Sequence, residues 1–211
     1  MLTCAYCTIR SCREGNLEKA PANCPGRFTT KKKELARYSE EDRRTFIAAA
    51  EVEAEGYCQR VRVQEIMDYA LKCGYKHLGV AHCIGLRNEA RIFADILKDN
   101  GFEVETVCCK VGGVDKAEMG IGRNGYVDDC EFETMCNPAG QAAVLDEAGC
   151  ELNILLGLCV GHDTLFIKNS KAPVTVLAAK DRVTGHNPLA PLYNAQSYYQ
   201  KKLENYVERE K

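Results

Sequence analysis

From Tyr75 onward, short apolar runs alternate with stretches in which apolar residues recur at helical spacing. The runs are His77-Leu-Gly-Val-Ala-His-Cys83, Phe102 to Val107, Leu152 to Cys159 and Pro173 to Ala179. Unbroken runs of this length, closed by glycine or polar residues, predict strands buried on both faces, as in a parallel sheet covered by helices. Between them, Ala90, Phe93, Ala94 and Leu97 share one side of a helix predicted over 87–98, with Asn100-Gly101 to stop it. Asn137 is an N-cap and Pro138 a first-turn residue for a second helix over 139–148, which Gly149 closes. This alternation predicts an α/β fold, a mostly parallel, Rossmann-like sheet flanked by helices.

The preceding pattern is different. Lys31 to Arg37 is a basic connector, and Ser39 before Glu40, Glu41 and Asp42 predicts a capped helix start. Phe46, Ile47, Ala50 and Ala54 form its expected apolar face, with Gly56 at its end. Val63, Ile66, Met67, Ala70 and Leu71 give a second helix, ended by Gly74. Tyr199, Leu203 and Tyr206 stand at helical spacing in 196–211, which predicts a terminal helix with one face packed on the domain. The stretch 110–135 holds Gly112, Gly113, Gly120, Gly122 and Gly125 and no obvious element, and is expected to be a lid over the crevice at the sheet's edge. The expected division is a cysteine-rich metal- or cluster-binding segment, 1–30, and an α/β domain, 31–211, with a helical lead-in (31–74) and a sheet core (75–190).

Composition narrows the function. A formal charge of −2 over 211 residues gives no bulk electrostatic argument for nucleic acid or an anionic membrane. No apolar run approaches the roughly 20 residues of a spanning helix, and a cytoplasmic location is expected. Thirteen cysteines, an odd number, then point to metal or redox chemistry before a disulfide framework.

The cysteines fall into two quartets. Cys4, Cys7, Cys12 and Cys24 follow C-x2-C-x4-C-x11-C, in a segment with too few apolar residues to fold by packing. Metal binding would supply the missing stability, and both zinc and iron–sulfur accept four thiolates at this spacing. The second quartet is dispersed. Cys83, Cys109 (or its neighbour Cys108) and Cys159 each follow a strand, and Cys136 precedes a helix. Right-handed crossovers bring all strand exits to one side of a parallel sheet, so these four should meet at its carboxyl edge. Lys110, His162, Lys180, Arg182 and His186 lie on the same exits as candidate cofactor-binding residues. Asp163 is an expected N-cap, His82 a structural residue, and no catalytic residue is assigned.

These blocks resemble a bacterial and archaeal family catalogued as domain of unknown function 1847 and described as metal-binding because of its cysteines. The likeness rests on Cys4-Ala-Tyr-Cys7 with Cys12 and Cys24, Arg62-Val63 with Glu65-Ile66, and Cys83-Ile-Gly-Leu86 with Glu89-Ala90. It continues through Cys109-Lys-Val-Gly-Gly113, Cys136-Asn-Pro-Ala-Gly-Gln141, Gly157-Leu-Cys-Val-Gly-His-Asp163 and Lys180-Asp-Arg-Val-Thr-Gly-His-Asn-Pro188. The resemblance implies that its eight characteristic cysteines are the two quartets. It leaves Cys58, Cys73, Cys130, Cys150 and one of Cys108 and Cys109 as incidental thiols, and implies no reaction.

The expected function is an iron–sulfur protein with one or two clusters, of the [4Fe–4S] type, serving electron transfer or reductive chemistry in the crevice. Zinc is the alternative at the amino-terminal site. The expected partner is a redox protein or a small-molecule substrate, without nucleic acid or membrane. Two further functions fit the same residues: a zinc-stabilised module that binds a small molecule or partner, and a thiol enzyme using Cys159 with His162.

Overall fold

The computed structural model describes residues 4–209. They form two compact units, divided between Tyr57 and Cys58.

The first unit opens with four 3-10 turns, Cys4–Tyr6, Ser11–Glu14, Leu17–Lys19 and Pro25–Phe28. Over 4–38 the buried residues are Ser11 and Ala20, so there is no apolar core to hold these turns. Two helices follow, α1 (Lys31–Leu35) and α2 (Glu40–Gly56). Ser39 and Asp42 cap α2 reciprocally, each side chain bonding the other's backbone N–H. The expected apolar face of α2 is corrected: Phe46 and Ile47 are exposed, and Ala48, Val52 and Gly56 are buried instead. Apolar residues lie on several sides of this helix, so its burial is set by contacts rather than by periodicity.

The second unit is a four-stranded parallel sheet flanked by helices, an α/β fold. Its elements are α3 (Arg62–Cys73), β1 (His77–His82), α4 (Arg87–Asp99), β2 (Glu103–Cys108), α5 (Pro138–Glu147), β3 (Leu152–Leu158), α6 (His162–Asn169) and β4 (Val174–Ala179). One core cluster joins Ile66 and Ala70 of α3 and Ala90, Phe93 and Leu97 of α4 to Leu78, Val80, Leu152, Ile154 and Leu156. The other joins Ala142 and Leu145 of α5 and Phe166 of α6 to Ala81, Val107, Leu155 and Leu158. The sheet therefore separates α3 and α4 from α5 and α6.

Strand order is β2-β1-β3-β4. The chain steps from β1 to β2 in one direction and from β3 to β4 in the other, so the order reverses between β1 and β3. In open parallel sheets, the crevice outside the strands' carboxyl ends at such a reversal is where ligands bind.

Three further expectations are corrected. The terminal helix is broken into α8 (Gln200–Leu203) and α9 (Tyr206–Arg209), after the single turn α7 (Ala190–Tyr193). Asn205 stands between α8 and α9 with φ 53, and Leu203 and Tyr206 are exposed rather than packed. Leu71 of α3 is exposed, outside the face made by Ile66 and Ala70. The N-cap of α6 is Gly161, and the Asp163 carboxylate accepts from the backbone N–H groups of Gly161 and Thr164.

The stretch 110–135 is organised by its own polar groups. Asp115 and Thr134 form an antiparallel bridge, and Lys116 N–H donates to the Glu133 carbonyl at 3.0 Å. The Lys116 ammonium, nearly buried, donates to Glu133 Oε1 at 2.5 Å and to the Gly125 carbonyl at 2.7 Å. Tyr126 donates to Asp115 Oδ1 at 3.0 Å, and its ring lies beneath Arg123. The excursion is a closed loop tied at its base, with two 3-10 turns inside it.

Candidate metal centre

The carboxyl ends of β1 and β2 carry Cys83 and Cys109, and both are buried. Their backbones are part of the sheet's own ladder: Cys83 N–H donates to the Leu156 carbonyl at 3.2 Å, and Cys109 N–H to the His82 carbonyl at 2.9 Å. Cys136 joins them through α5. Asn137 N–H donates to the Cys109 carbonyl at 2.8 Å, while the Asn137 side chain caps the helix by accepting from Gly140 N–H at 2.9 Å. A Cβ at Gly140 would lie 2.4 Å from Asn137 Nδ2, so any larger residue there would displace the capping side chain. The helix start thus delivers Cys136 to within 3.9 Å of Cys109, sulfur to sulfur. Of the neighbouring pair, Cys109 meets the other thiols; Cys108 closes β2, its sulfur accepting from Lys110 N–H.

Cys109 is the middle thiol of the three, hydrogen-bonded to both Cys83 and Cys136. Hydrogen bonds with Cys136 and then Cys83, and after them burial, drive its pKa far up. The same bonds bring the partners down. Cys83 falls to about 5 through Cys109, helped by the Gly85 N–H and the Lys180 ammonium. Cys136 falls to about 5 through Cys109, helped by the charges of Lys110 and His162. The three sulfurs therefore share one neighbourhood with Lys110, His162 and Lys180 close by.

Cys159 sits differently. Its sulfur accepts from Arg182 Nη2 at 3.3 Å, and the Arg182 charge also interacts with Cys83 and Cys136. The pairing of β3 with β4 shifts between Leu156 and Leu158. Gly157 occupies that bulge at φ +68, where a Cβ would lie 2.1 Å from Leu86 Cδ1. Regular alternation would place residue 159 with Leu155, on the side facing α5 and α6. The bulge puts Leu158 there instead, so Cys159 leaves the phase that Cys83 and Cys109 share.

The other sequence-derived candidates are dispersed around this core. Lys180 lies beside Cys83, its Nζ 3.3 Å from where a Gly85 Cβ would stand. Lys110 bonds the Thr134 carbonyl as well as facing Cys136. His162 opens α6, its backbone N–H on the Cys159 carbonyl at 2.9 Å and its charge felt by Cys136. His186 is tied into its own loop: it has φ 67, its N–H donates to the Asp181 carbonyl, and its Nδ1 accepts from Asp181 N–H. His82 is buried, with Nδ1 3.0 Å from the Cys83 carbonyl oxygen.

In the first unit, Cys7 N–H donates to the Cys4 carbonyl at 3.1 Å, closing the C-x2-C turn. Cys4 and Cys12 are exposed, Cys7 and Cys24 half-buried. Cys12 borders an open cavity of about 720 Å³ with Leu17, Phe28, Lys31, Glu34 and Arg37. Arg27 braces the turn after Cys24 by donating to the carbonyls of Glu18 and Ala20. Among the described residues, no three His, Cys, Asp or Glu side chains are arranged around a single ion in either unit.

Gln141 carries a role the sequence did not announce. It is fully buried, and its Nε2 donates to the carbonyls of His82 at 3.2 Å and Val107 at 2.7 Å. One side chain of α5 thereby ties together the last turns before Cys83 and Cys109 and the helix that follows Cys136. A polar residue one turn after an N-cap, in a core-facing position, was the available signal. Among the remaining thiols, burial raises Cys150 to about 11 and also raises Cys73.

Among the described residues, no helix is long and apolar enough to cross a membrane. Two crystal structures of Dph2 from Pyrococcus horikoshii, one of them with a 4Fe-4S cluster, have TM-scores of 0.36 and 0.34 and 19% identity to this chain. The match covers 72% of this chain and 41% of each of theirs, and a likeness this slight carries no argument about the site. Uncharacterized protein MJ0455 of Methanocaldococcus jannaschii is 42% identical over 202 residues, covering 96% of this chain and 98% of that protein. The profile described as protein of unknown function (DUF1847) matches residues 24–177, and with that relative it shows that the chain belongs to the DUF1847 family.

Proposed function

We propose that the second unit is an iron–sulfur protein, its cluster held by Cys83, Cys109, Cys136 and Cys159 at the sheet's carboxyl edge. The carrying observation is the convergence of three thiols from β1, β2 and the start of α5, with Cys109 and Cys136 sulfurs 3.9 Å apart. The donor set fits such a group: sulfur ligands on rigid elements, at the reversal of strand order, with cations on the adjoining exits. A bound cluster would supply one-electron redox chemistry. Lys110, Lys180, Arg182 and His162 offset the negative charge of the sulfur shell, which favours the reduced state. The loop tied by Lys116 and Glu133 borders Cys136 in sequence.

The Cys4, Cys7, Cys12 and Cys24 quartet is proposed as a second metal site, iron–sulfur or zinc, in a segment that lacks a core. The partner is a redox protein or a small-molecule substrate of the crevice, in the cytoplasm.

The test is anaerobic purification of the whole chain, with iron, acid-labile sulfide and zinc measured per chain and electron paramagnetic resonance after reduction. Iron and sulfide in matching amounts are expected. Zinc in their place would favour a second reading, a zinc-stabilised binding module, because an edge of about 3.8 Å follows from a zinc–sulfur bond of about 2.3 Å in a tetrahedron. That edge is close to the 3.9 Å between Cys109 and Cys136.

A further inference from the structure

The geometry points to a second activity of the same edge: in the metal-free chain, Cys109 and Cys136 form a reversible disulfide, with Cys136 meeting an external disulfide and Cys109 resolving it. The inference goes beyond the cluster function and does not rest on it, because it needs these two sulfurs alone. They are 3.9 Å apart, and their backbones already lie side by side, since Asn137 N–H donates to the Cys109 carbonyl at 2.8 Å. A disulfide needs about 2.05 Å, so side-chain rotation has less than about 2 Å to close. Exposure sets the order of events. Cys109 is buried, its sulfur accepting from Ile84 N–H at 3.4 Å, whereas Cys136 is half-buried. An accessible thiol backed by a buried one is the arrangement that resolves mixed disulfides. Cys83 also bonds the Cys109 sulfur. It is buried, however, and its backbone is fixed in the ladder by the Leu156 carbonyl, so a Cys83–Cys109 pair offers no thiol to the reagent.

The oxidant is a low-molecular-weight disulfide. Cys136, its proton passed to solvent, attacks one sulfur of that reagent; the reagent's S–S bond breaks, a mixed disulfide forms on Cys136, and one small thiolate leaves. Cys109, its proton likewise passed to solvent, then attacks the Cys136 sulfur. The mixed disulfide breaks, the Cys109–Cys136 bond forms, and the second small thiolate leaves. The two departing thiolates take up the two protons. Two electrons have passed from the cysteine pair to the reagent, which ends as two thiols. Excess thiol drives the same steps backwards.

The full chain is purified with a reductant and a chelator, shown to be free of iron and zinc, and treated with hydroxyethyl disulfide. Remaining thiols are blocked with N-ethylmaleimide, and mass spectrometry of a digest, with fragmentation to assign each cysteine, maps the links. A Cys109–Cys136 link in most chains, reversed by dithiothreitol, is expected. The inference is overturned by Cys136 found mainly as a blocked thiol or an unresolved mixed disulfide, and equally by a link from either cysteine to Cys83, Cys108 or any other thiol in its place. This map requires no substitution. Two variants then test the order of attack. Cys109→Ser should accumulate the mixed disulfide on Cys136, and Cys136→Ser should form one on Cys109 at least about tenfold more slowly, as burial requires. Equal rates would reject Cys136 as the entry point. All of these results are read without metal, so their failure leaves the cluster proposal to its own measurement of iron and sulfide.

Discussion

The two quartets use the same four side chains on opposite kinds of scaffold. Over 4–38 the first lies on 3-10 turns whose buried residues are Ser11 and Ala20 alone. The second lies on a sheet in which every residue of β3 is buried. In the first, metal ligands would organise the chain; in the second, the chain itself brings Cys83, Cys109 and Cys136 together, so any metal proposed there would meet a site already gathered. Four cysteines within a short segment therefore do not mean the same thing as four gathered from separate strands. The former reads as a metal needed for folding and the latter as a group held for its chemistry.

The widest separation between the two should come from removing metal. Structural metal sites of the first kind carry about 10 kcal/mol or more of folding free energy. Anaerobic chelation should leave residues 4–30 exchanging amide hydrogens as an unfolded chain, with β1 and β3 still protected. Hydrogen exchange read by mass spectrometry decides it. Undiminished protection over 4–30 would show that the turns stand without metal, and the contrast would collapse.

Core substitution reverses the test. Phe166 is fully buried between α6 and the sheet, and Phe166→Ala should cost about 3–5 kcal/mol in the unfolding of the second unit. Phe28, 73% exposed in the first unit, should tolerate alanine within about 0.5 kcal/mol. Denaturant melts of the metal-loaded chain compare them. Similar losses in both variants would mean that the first unit rests on packing after all.

How far the sequence foretold this depends on which force placed each residue. Ala90, Phe93, Ala94 and Leu97 are all buried on α4 as their spacing predicts, and Asn137 and Pro138 open α5 as expected. Those are local signals. Cys83 and Cys109 come together because parallel strands share an exit side, and Cys136 joins them through the capped start of α5. The bulge at Gly157, just before Cys159, was not legible, because it is a shift in the pairing of β3 with β4 that no local pattern announces. Nor was the order within 110–135 legible, since it depends on Lys116 finding Glu133. In α2, Phe46 and Ile47 belong to no packed face, and hydrophobicity alone could not tell them from Ala48 and Val52.

A finer test asks whether the second site is preorganised by the protein. Gln141→Leu keeps much of the volume but removes both donors to the strand ends before Cys83 and Cys109. The stability loss should be about 1–3 kcal/mol, from carbonyls left without that partner. Metal affinity should fall about 10- to 100-fold, as for other residues that orient ligands. Calorimetry and competition with a chelator separate the two effects. A stability loss without any change in metal affinity would make Gln141 a core residue only.

The smallest effect distinguishes the units by acid. Glu151 accepts from the backbone N–H groups of Lys76 at 2.6 Å and His77 at 3.0 Å, at the amino ends of β1 and β3, opposite the end that carries Cys83 and Cys109. The His77 and then the Lys76 bonds hold its carboxyl below the ordinary value of 4.5. A carboxyl lowered on folding stabilises above its unfolded pKa, and that contribution is lost as pH falls through the folded value. It is therefore complete at neutral pH and begins to fail only below about 4.5. Glu151 is solvent-exposed, so screening keeps its worth under about 1 kcal/mol. Metal held by thiolates is released by protons at higher pH than this, because proton and metal compete for the same sulfur. On acidification, the first unit should lose structure before the sheet does, and Glu151→Gln should remove part of the sheet's later, shallow loss without moving the earlier one. Circular dichroism and hydrogen exchange followed against pH would show both steps, and a shift of the earlier step by Glu151→Gln would mean that the two units do not respond separately.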